Sequence, residues 1–255
     1  MEKHSAKSKV LVTGGISGIG LAIVKKLAAS GYDLVITFNQ AISEAAQLEE
    51  NISRQYPGQA FEFHKADFKD KSQVTELAAK LSEQPAFYGF IHNAGYSYDT
   101  LAALVDQDQA EDLMQVNFWS MTALVKAILR PMLSERNGRI IAMGSVTALR
   151  GVSKNTVYAA SKGAMMSYIR SLAIEIAKRG VCANYIASGF VDTGLLEPYF
   201  EYRKEMEKQI PLQRFAQPGE IADLVAFLLS PSASYMTGSI IQIDGGLDAN
   251  LSVQR

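Results

Sequence analysis

The chain has 255 residues, 48% of them hydrophobic and 20% charged, with a formal net charge of −1. Those values exclude a disordered chain, allow a large core, and give no global basic field for nucleic acid. A single cysteine, Cys182, excludes an internal disulfide framework, and no window approaches the roughly 20 apolar residues needed to cross a bilayer. The polar start MEKHSAKSK lacks the apolar stretch of a signal peptide, so the expectation is a soluble, cytoplasmic protein.

Short β-branched runs alternate with helical patterns along the chain. Lys9–Val12 reads as a strand, followed by a glycine-rich turn and a helix to about Ser30. Leu34–Phe38 is a second strand and Ser43–Arg54 an amphipathic helix. Phe61–Lys65 is a third strand, and Ser72–Leu81 a helix capped by its serine. Phe90–His92 and Arg139–Met143 continue the strands, with a long helix over Gln109–Leu133 between them. A helix from about Thr156 to Lys178, a strand over Val181–Ile186, a helix over Gly219–Leu229 and a strand over Ile240–Ile243 complete the series. Strands separated by helices predict one doubly wound α/β domain over 1–255: a mostly parallel sheet of about seven strands, helices on both faces. Residues 1–8 read as a tail. The charged, aromatic-rich segment 193–215 reads as a lid, with Tyr199, Phe200, Tyr202 and Phe215 lining an acyl channel or packing within the lid.

Thr13-Gly14-Gly15-Ile16-Ser17-Gly18-Ile19-Gly20 follows the first strand and opens a helix, the context in which a glycine motif binds a dinucleotide. Gly14 suits the tight turn, Gly18 the approach of a diphosphate, and Gly20 close helix–strand packing. The diphosphate would meet free N–H groups at a helix N-terminus. The end of the second strand, Phe38-Asn39-Gln40, has no carboxylate to hold ribose hydroxyls, which favours NADP(H) over NAD(H). Asn39, Gln40 and Ser43 are neutral donors for a phosphate there.

Tyr158-Ala159-Ala160-Ser161-Lys162 sets a phenol and an ammonium on one helix face. A nearby ammonium and an oxidised nicotinamide ring favour phenolate, lowering a pKa of about 10 toward neutrality. Ser145, thirteen residues before Tyr158, ends the fifth strand, where its hydroxyl can stabilise charge on a reacting oxygen. The three histidines, His4, His64 and His92, lack metal-ligand spacing, so no metal is expected.

The Thr-Gly-x-x-x-Gly-x-Gly turn, Asn93-Ala94-Gly95, Ser145 and Tyr158-x-x-x-Lys162 together resemble the short-chain dehydrogenase/reductase family, from Lys9 to Ile243-Asp244-Gly245-Gly246. The resemblance implies a Rossmann-type fold, a nicotinamide cofactor and a catalytic set of Asn117, Ser145, Tyr158 and Lys162. In it Tyr158 relays the proton, Ser145 holds the reacting oxygen, and Lys162 holds the nicotinamide ribose. The backbone of Asn117 holds a water joined to the lysine. It further implies cofactor contacts at Gly14, Ser17, Gly18, Ile19, Gly20, Asn39, Gln40, Asp67, Phe68, Asn93, Ala94 and Gly95, then Gly189, Val191 and Thr193, besides Tyr158 and Lys162. Asp67 would bond the adenine amino group.

Two positions depart from the family: His92 stands where asparagine is usual, read as a packed histidine without chemistry, and Ser188 replaces a proline. The segments at 137–141 and 175–180 resemble the 3-oxoacyl-[acyl-carrier-protein] reductases. That branch implies a 3-oxoacyl thioester substrate, in primary fatty-acid or specialised polyketide synthesis, and a homotetramer. It also places Arg136 and Arg179 as docking residues for an acidic carrier protein, against a reading as solvated helix-end cations. An NAD(P)-linked dehydrogenase of a sugar, steroid or other secondary alcohol is the rival enzyme. A non-catalytic cofactor sensor would be expected to lack part of the catalytic set.

Overall fold

The computed structural model describes residues 8–194 and 201–250. Seven strands form one parallel sheet: β1 Lys9–Val12, β2 Asp33–Phe38, β3 Phe61–Lys65, β4 Gly89–His92, β5 Gly138–Met143, β6 Val181–Ser188 and β7 Ile240–Ile243. Their order across the sheet is β3-β2-β1-β4-β5-β6-β7. The chain winds outward from β1 to β3, returns to the middle, and winds the other way from β4. That reversal leaves a crevice between β1 and β4 at the carboxyl ends of the strands, where ligands bind in such sheets.

Period-two alternation divides the core between the two faces. Val10, Val12, Leu34, Ile36, Ile141 and Ile186 point to one side and pack with Ile23, Val24, Leu27, Val225 and Leu228. The helices there are α1 Gly18–Ala29, α2 Ile42–Gln55 and α8 Pro218–Leu229. Leu11, Val35, Phe90, Ile140, Ala183 and Tyr185 point to the other side. They meet α3 Lys71–Ser82, α5 Ser120–Glu135 and α6 Thr156–Ile176. Strands buried on both faces are apolar at most positions, which is why β5 and β6 read as largely apolar runs, broken by Arg139 in β5 and by Asn184 and Ser188 in β6.

Three local features differ from the sequence reading. The cap of α3 is Asp70, whose carboxylate accepts from Ser72 and Gln73 N–H, so the serine lies inside the helix. The long helix before β5 is α4 Gln107–Met114, a π turn at Gln115–Trp119, and α5. The π turn centres on Asn117, and such turns open the regular ladder at functional positions. Within 193–215, Arg203–Gln209 forms α7. Tyr199 and Phe200 lie outside the described residues, as do residues 1–7. Phe215 is buried against Phe190, with ring centroids 5.6 Å apart, and so packs on the core of the domain, whereas Tyr202 is exposed.

Candidate active site

A cleft of about 1490 Å³ runs along the carboxyl edge of the sheet. One end is built from the β1–α1 turn and the end of β2, the other from the segments after β4, β5 and β6.

At the first end, Gly14 and Gly18 adopt φ of +64° and +50°, a backbone that favours glycine. A Cβ on Gly20 would collide with the carbonyl of Gly14, so that glycine lets α1 press against the turn. Ser17 is the N-cap of α1 in position, yet its side chain makes no capping bond. Ser17, Gly18 and Ile19 line the cleft beside Gly14, and the first N–H groups of α1 are left for a ligand. These features fit a diphosphate. Thr193 packs on Gly18, with Cγ2 3.3 Å from where a Cβ would be.

Thr13 anchors this end. Its Oγ1 accepts the N–H groups of Asn93 and Ala94, both at 3.0 Å, and Asn93 Nδ2 donates to the carbonyls of Thr13 and Gly14 at 3.1 and 3.0 Å. Asn93, Ala94 and Gly95 thereby become wall to the cleft, opposite Gly189 and Val191. Asn39, Gln40, Asp67 and Phe68 line the outer part. One Asp67 carboxylate oxygen accepts from Lys69 N–H at 3.0 Å. Glu44, one turn into α2, lines the same part, a carboxylate that reading only the end of β2 had missed. Ser43 does not line the cleft; its hydroxyl donates to Glu44 at 2.9 Å.

At the other end, Ser145, Tyr158 and Lys162 converge. Ser145 Oγ accepts from Thr147 N–H at 3.2 Å and from the Thr147 hydroxyl at 3.0 Å, leaving its own proton to donate. It faces the Tyr158 phenol and acts to lower its pKa. Lys162 is buried, donates to the Met143 carbonyl at 2.9 Å, and lies 5.6 Å from the centre of the Tyr158 ring. Burial holds its ammonium down to about 8. The expected lowering of the phenol is absent. Tyr158 is pushed up to about 12 by burial first, with Asp99 adding, while Ser145 pulls only partly back. Desolvation outweighs that effect here, and Lys162, itself disfavoured as a cation, does not offset it.

Asn117 lies behind the cleft wall. Its side chain accepts from Tyr96 N–H at 3.1 Å and donates to the Tyr96 carbonyl and to Ser161 Oγ at 3.1 and 3.0 Å. Ser188 donates to the Gly144 carbonyl at 3.1 Å, so this serine links β6 to β5. Arg136 and Arg179 are not in the cleft. They precede β5 and β6, at the opposite ends of the strands, and Arg136 Nη2 donates to the Lys178 carbonyl at 3.0 Å.

Besides Glu44, two contributors near Ser145 were missed in the sequence. Tyr185, in the middle of β6, lies beneath Gly144, where any Cβ would overlap its ring. Its hydroxyl accepts from the Ser145 N–H at 3.0 Å and so fixes the backbone of that serine from below. A single tyrosine among small and aliphatic strand residues was the available signal. Thr147 was the other, and only its position two residues after Ser145 hinted at it.

The family described as Enoyl-(Acyl carrier protein) reductase matches residues 14–248. This chain belongs to the short-chain dehydrogenase/reductase family. It is an oxidoreductase, and a nicotinamide is the hydride carrier of its family. The uncharacterized oxidoreductase YmfI of Bacillus subtilis (strain 168) is 35% identical over 237 residues, covering 92% of this chain and 97% of that one. The 3-oxoacyl-[acyl-carrier-protein] reductase FabG of Vibrio cholerae is 34% identical over 241 residues, 93% and 96% of the two chains. Among solved structures, a blue fluorescent protein from a metagenomic library in complex with NADPH superposes with a TM-score of 0.88. It is 32% identical and covers 94% of this chain and 97% of its own.

Proposed function

We propose that this short-chain reductase uses NADP(H) to convert a 3-oxoacyl thioester, carried on an acyl carrier protein, into the 3-hydroxyacyl thioester. The observation that supports it most is the joining of Ser145, Tyr158 and Lys162 at one end of the cleft, in a chain whose relatives include FabG reductases. When bound, the nicotinamide supplies the hydride. Ser145, both of its lone pairs engaged by Thr147, donates to the substrate carbonyl oxygen. Tyr158, a neutral phenol at pH 7, gives that oxygen its proton. Lys162 then returns a proton through the Asn117 side of the site. A phenol held protonated suits reduction; the reverse direction needs a cation nearby to draw the proton off.

Gly14, Ser17, Gly18 and Ile19 would hold the diphosphate, Asp67 and Phe68 the adenine, and Asn39 and Gln40 the ribose phosphate. Gly189, Val191 and Thr193 would bound the nicotinamide. Arg136 and Arg179 would receive the acidic carrier protein. Because they stand at the far ends of the strands, a carrier held there would feed the cleft of a neighbouring copy in a cytoplasmic homotetramer. One observation favours a second reading, an NAD-linked dehydrogenase of another secondary alcohol: Glu44 brings a carboxylate to the outer cleft, where it would bind ribose hydroxyls and repel a phosphate.

Oxidation of NADPH and of NADH, in parallel with an acetoacetyl thioester, tests the choice. Rapid turnover with NADPH supports the reductase; turnover with NADH alone moves the assignment to the second reading. Tyr158→Phe should abolish turnover and leave cofactor affinity intact, and a purified variant that still turns over would defeat the mechanism.

A further inference from the structure

His92, at the end of β4, is a buried titratable side chain that the mechanism above does not use. Its ring stacks on Phe68, at 6.5 Å between centroids and 3° between planes, and meets Phe90 at 6.0 Å. Both nitrogens are engaged: Nδ1 lies 3.3 Å from Thr13 Oγ1, and Nε2 lies 3.1 Å from the Asn117 carbonyl oxygen.

The neighbours decide where the proton sits. Thr13 Oγ1 already accepts two backbone N–H groups, so its lone pairs are spent and it has only its hydroxyl proton to offer. Nδ1 must therefore accept, and Nε2 carries the hydrogen and donates to Asn117. A second ring proton would point at an oxygen with no lone pair left. Burial and the charge of Lys162 act the same way, holding the imidazolium pKa down to about 3.

The carbonyl that receives Nε2–H lies in the π turn, where the helix ladder changes to i→i+5 spacing. The side chain of the same residue and the lysine ammonium both border Gly95. A Cβ on Gly95 would be 2.9 Å from Asn117 Oδ1 and 3.3 Å from Lys162 Nζ.

We propose that His92 is a positioning residue for the proton path: as the neutral Nε2–H tautomer it ties the Thr13 turn to the Asn117 carbonyl. That bond holds the π turn in register with Lys162 and keeps the second lone pair of the carbonyl for the water that re-protonates the lysine. The inference rests on reading Tyr158 and Lys162 as the proton relay, but not on the identity of the ketone.

The test has two arms. Long-range proton–nitrogen NMR of 15N-histidine-labelled protein should show one neutral Nε2–H imidazole that does not titrate between about pH 5 and 8, assigned by its loss in His92→Gln. An Nδ1–H tautomer, or titration in that range, overturns the proposal. In the kinetic arm, acetoacetyl thioester and ethyl acetoacetate are compared as substrates. His92→Phe, which fills the space but cannot donate, should lower kcat about tenfold with the KM for NADPH unchanged. His92→Gln, whose amide reaches the Nε2 position, should recover to within about threefold of wild type. Equal kcat in all three, or losses that do not differ between Phe and Gln, overturns the positioning role. If His92→Phe does not fold, His92→Gln and the tautomer still decide. Wild-type activity on the ester but not the thioester defeats the substrate reading alone, and the His92 comparison continues on the ester.

Discussion

At the scale of single residues, the site trades stability for chemistry. Lys162 holds its proton less tightly in the fold, at about 8, than a free lysine does at 10.5. The unfolded chain therefore binds more protons between those values, and stability rises with pH across that window. Below about pH 8 the full cost of burying the ammonium is present. Lys162→Met should abolish turnover yet stabilise the fold at pH 7, by on the order of 1–3 kcal/mol. Calorimetry should show the gap between variant and wild type shrinking as pH rises above 8; a constant gap would assign the effect to packing. Tyr185→Phe leaves the Ser145 N–H without its partner, a loss of about 1–3 kcal/mol in urea unfolding. It should also lower kcat, since the serine backbone loses its strut. Glu44→Gln should raise the ratio of NADPH to NADH efficiency, because it removes a negative charge from the outer cleft. An unchanged ratio would show that Glu44 does not meet the ribose.

At the scale of elements, the guanidinium of Arg203 clamps α7 to the body, beside the packing of Met206 on the core. Arg203 makes a bidentate pair with Asp192, at 3.0 and 2.8 Å, bonds Glu207 at 2.9 Å, and lies 4.7 Å over the Phe215 ring. Asp192 follows β6, beside Val191 and Thr193 of the cleft lining, and Met206 and Gln209 of α7 line the same cleft. The Arg203 contact lowers the Asp192 carboxyl below its ordinary 3.8, so the clamp is complete above that pH and fades as pH falls below it. Arg203→Met should raise the KM for the acyl substrate about threefold at pH 7 with little change in melting temperature. A change in stability without a change in KM would mean that the clamp serves the fold and not the lid. The π turn is the other element on which the proposed mechanism depends. Periodicity placed the helix that contains Asn117, but a run of apolar residues reads the same with or without one extra residue in the ladder.

At the scale of the whole molecule, apolar side chains remain on the outer faces of the long helices: Trp119 is 53% exposed and Ile174 79% exposed. The same helices carry Asn117, and Tyr158 and Lys162, of the proposed catalytic set. If these faces pack against copies of themselves in the proposed homotetramer, Ile174→Glu should give a smaller species by light scattering and a lower melting temperature. An unchanged mass would remove that interface. The double variant Arg136→Glu/Arg179→Glu should raise the KM for a carrier-protein thioester and leave that for a small thioester alone.

The sequence by itself determined the strand order along the chain, the glycine turn, and the spacing of Tyr158 and Lys162, because each is a local pattern: period two, period 3.6, or residues one helical turn apart. It could not supply what depends on contacts between segments far apart in the chain. Tertiary structure put Tyr185 under Gly144, closed His92 between Thr13 and Asn117, and brought Glu44 to the outer cleft. It also set Arg136 and Arg179 away from the cleft of their own chain, since both precede strands whose opposite ends line it. The phenol of Tyr158 shows the same division. Its place beside a lysine is written in four residues of helix, but burial by the surrounding fold sets the direction in which its pKa moves.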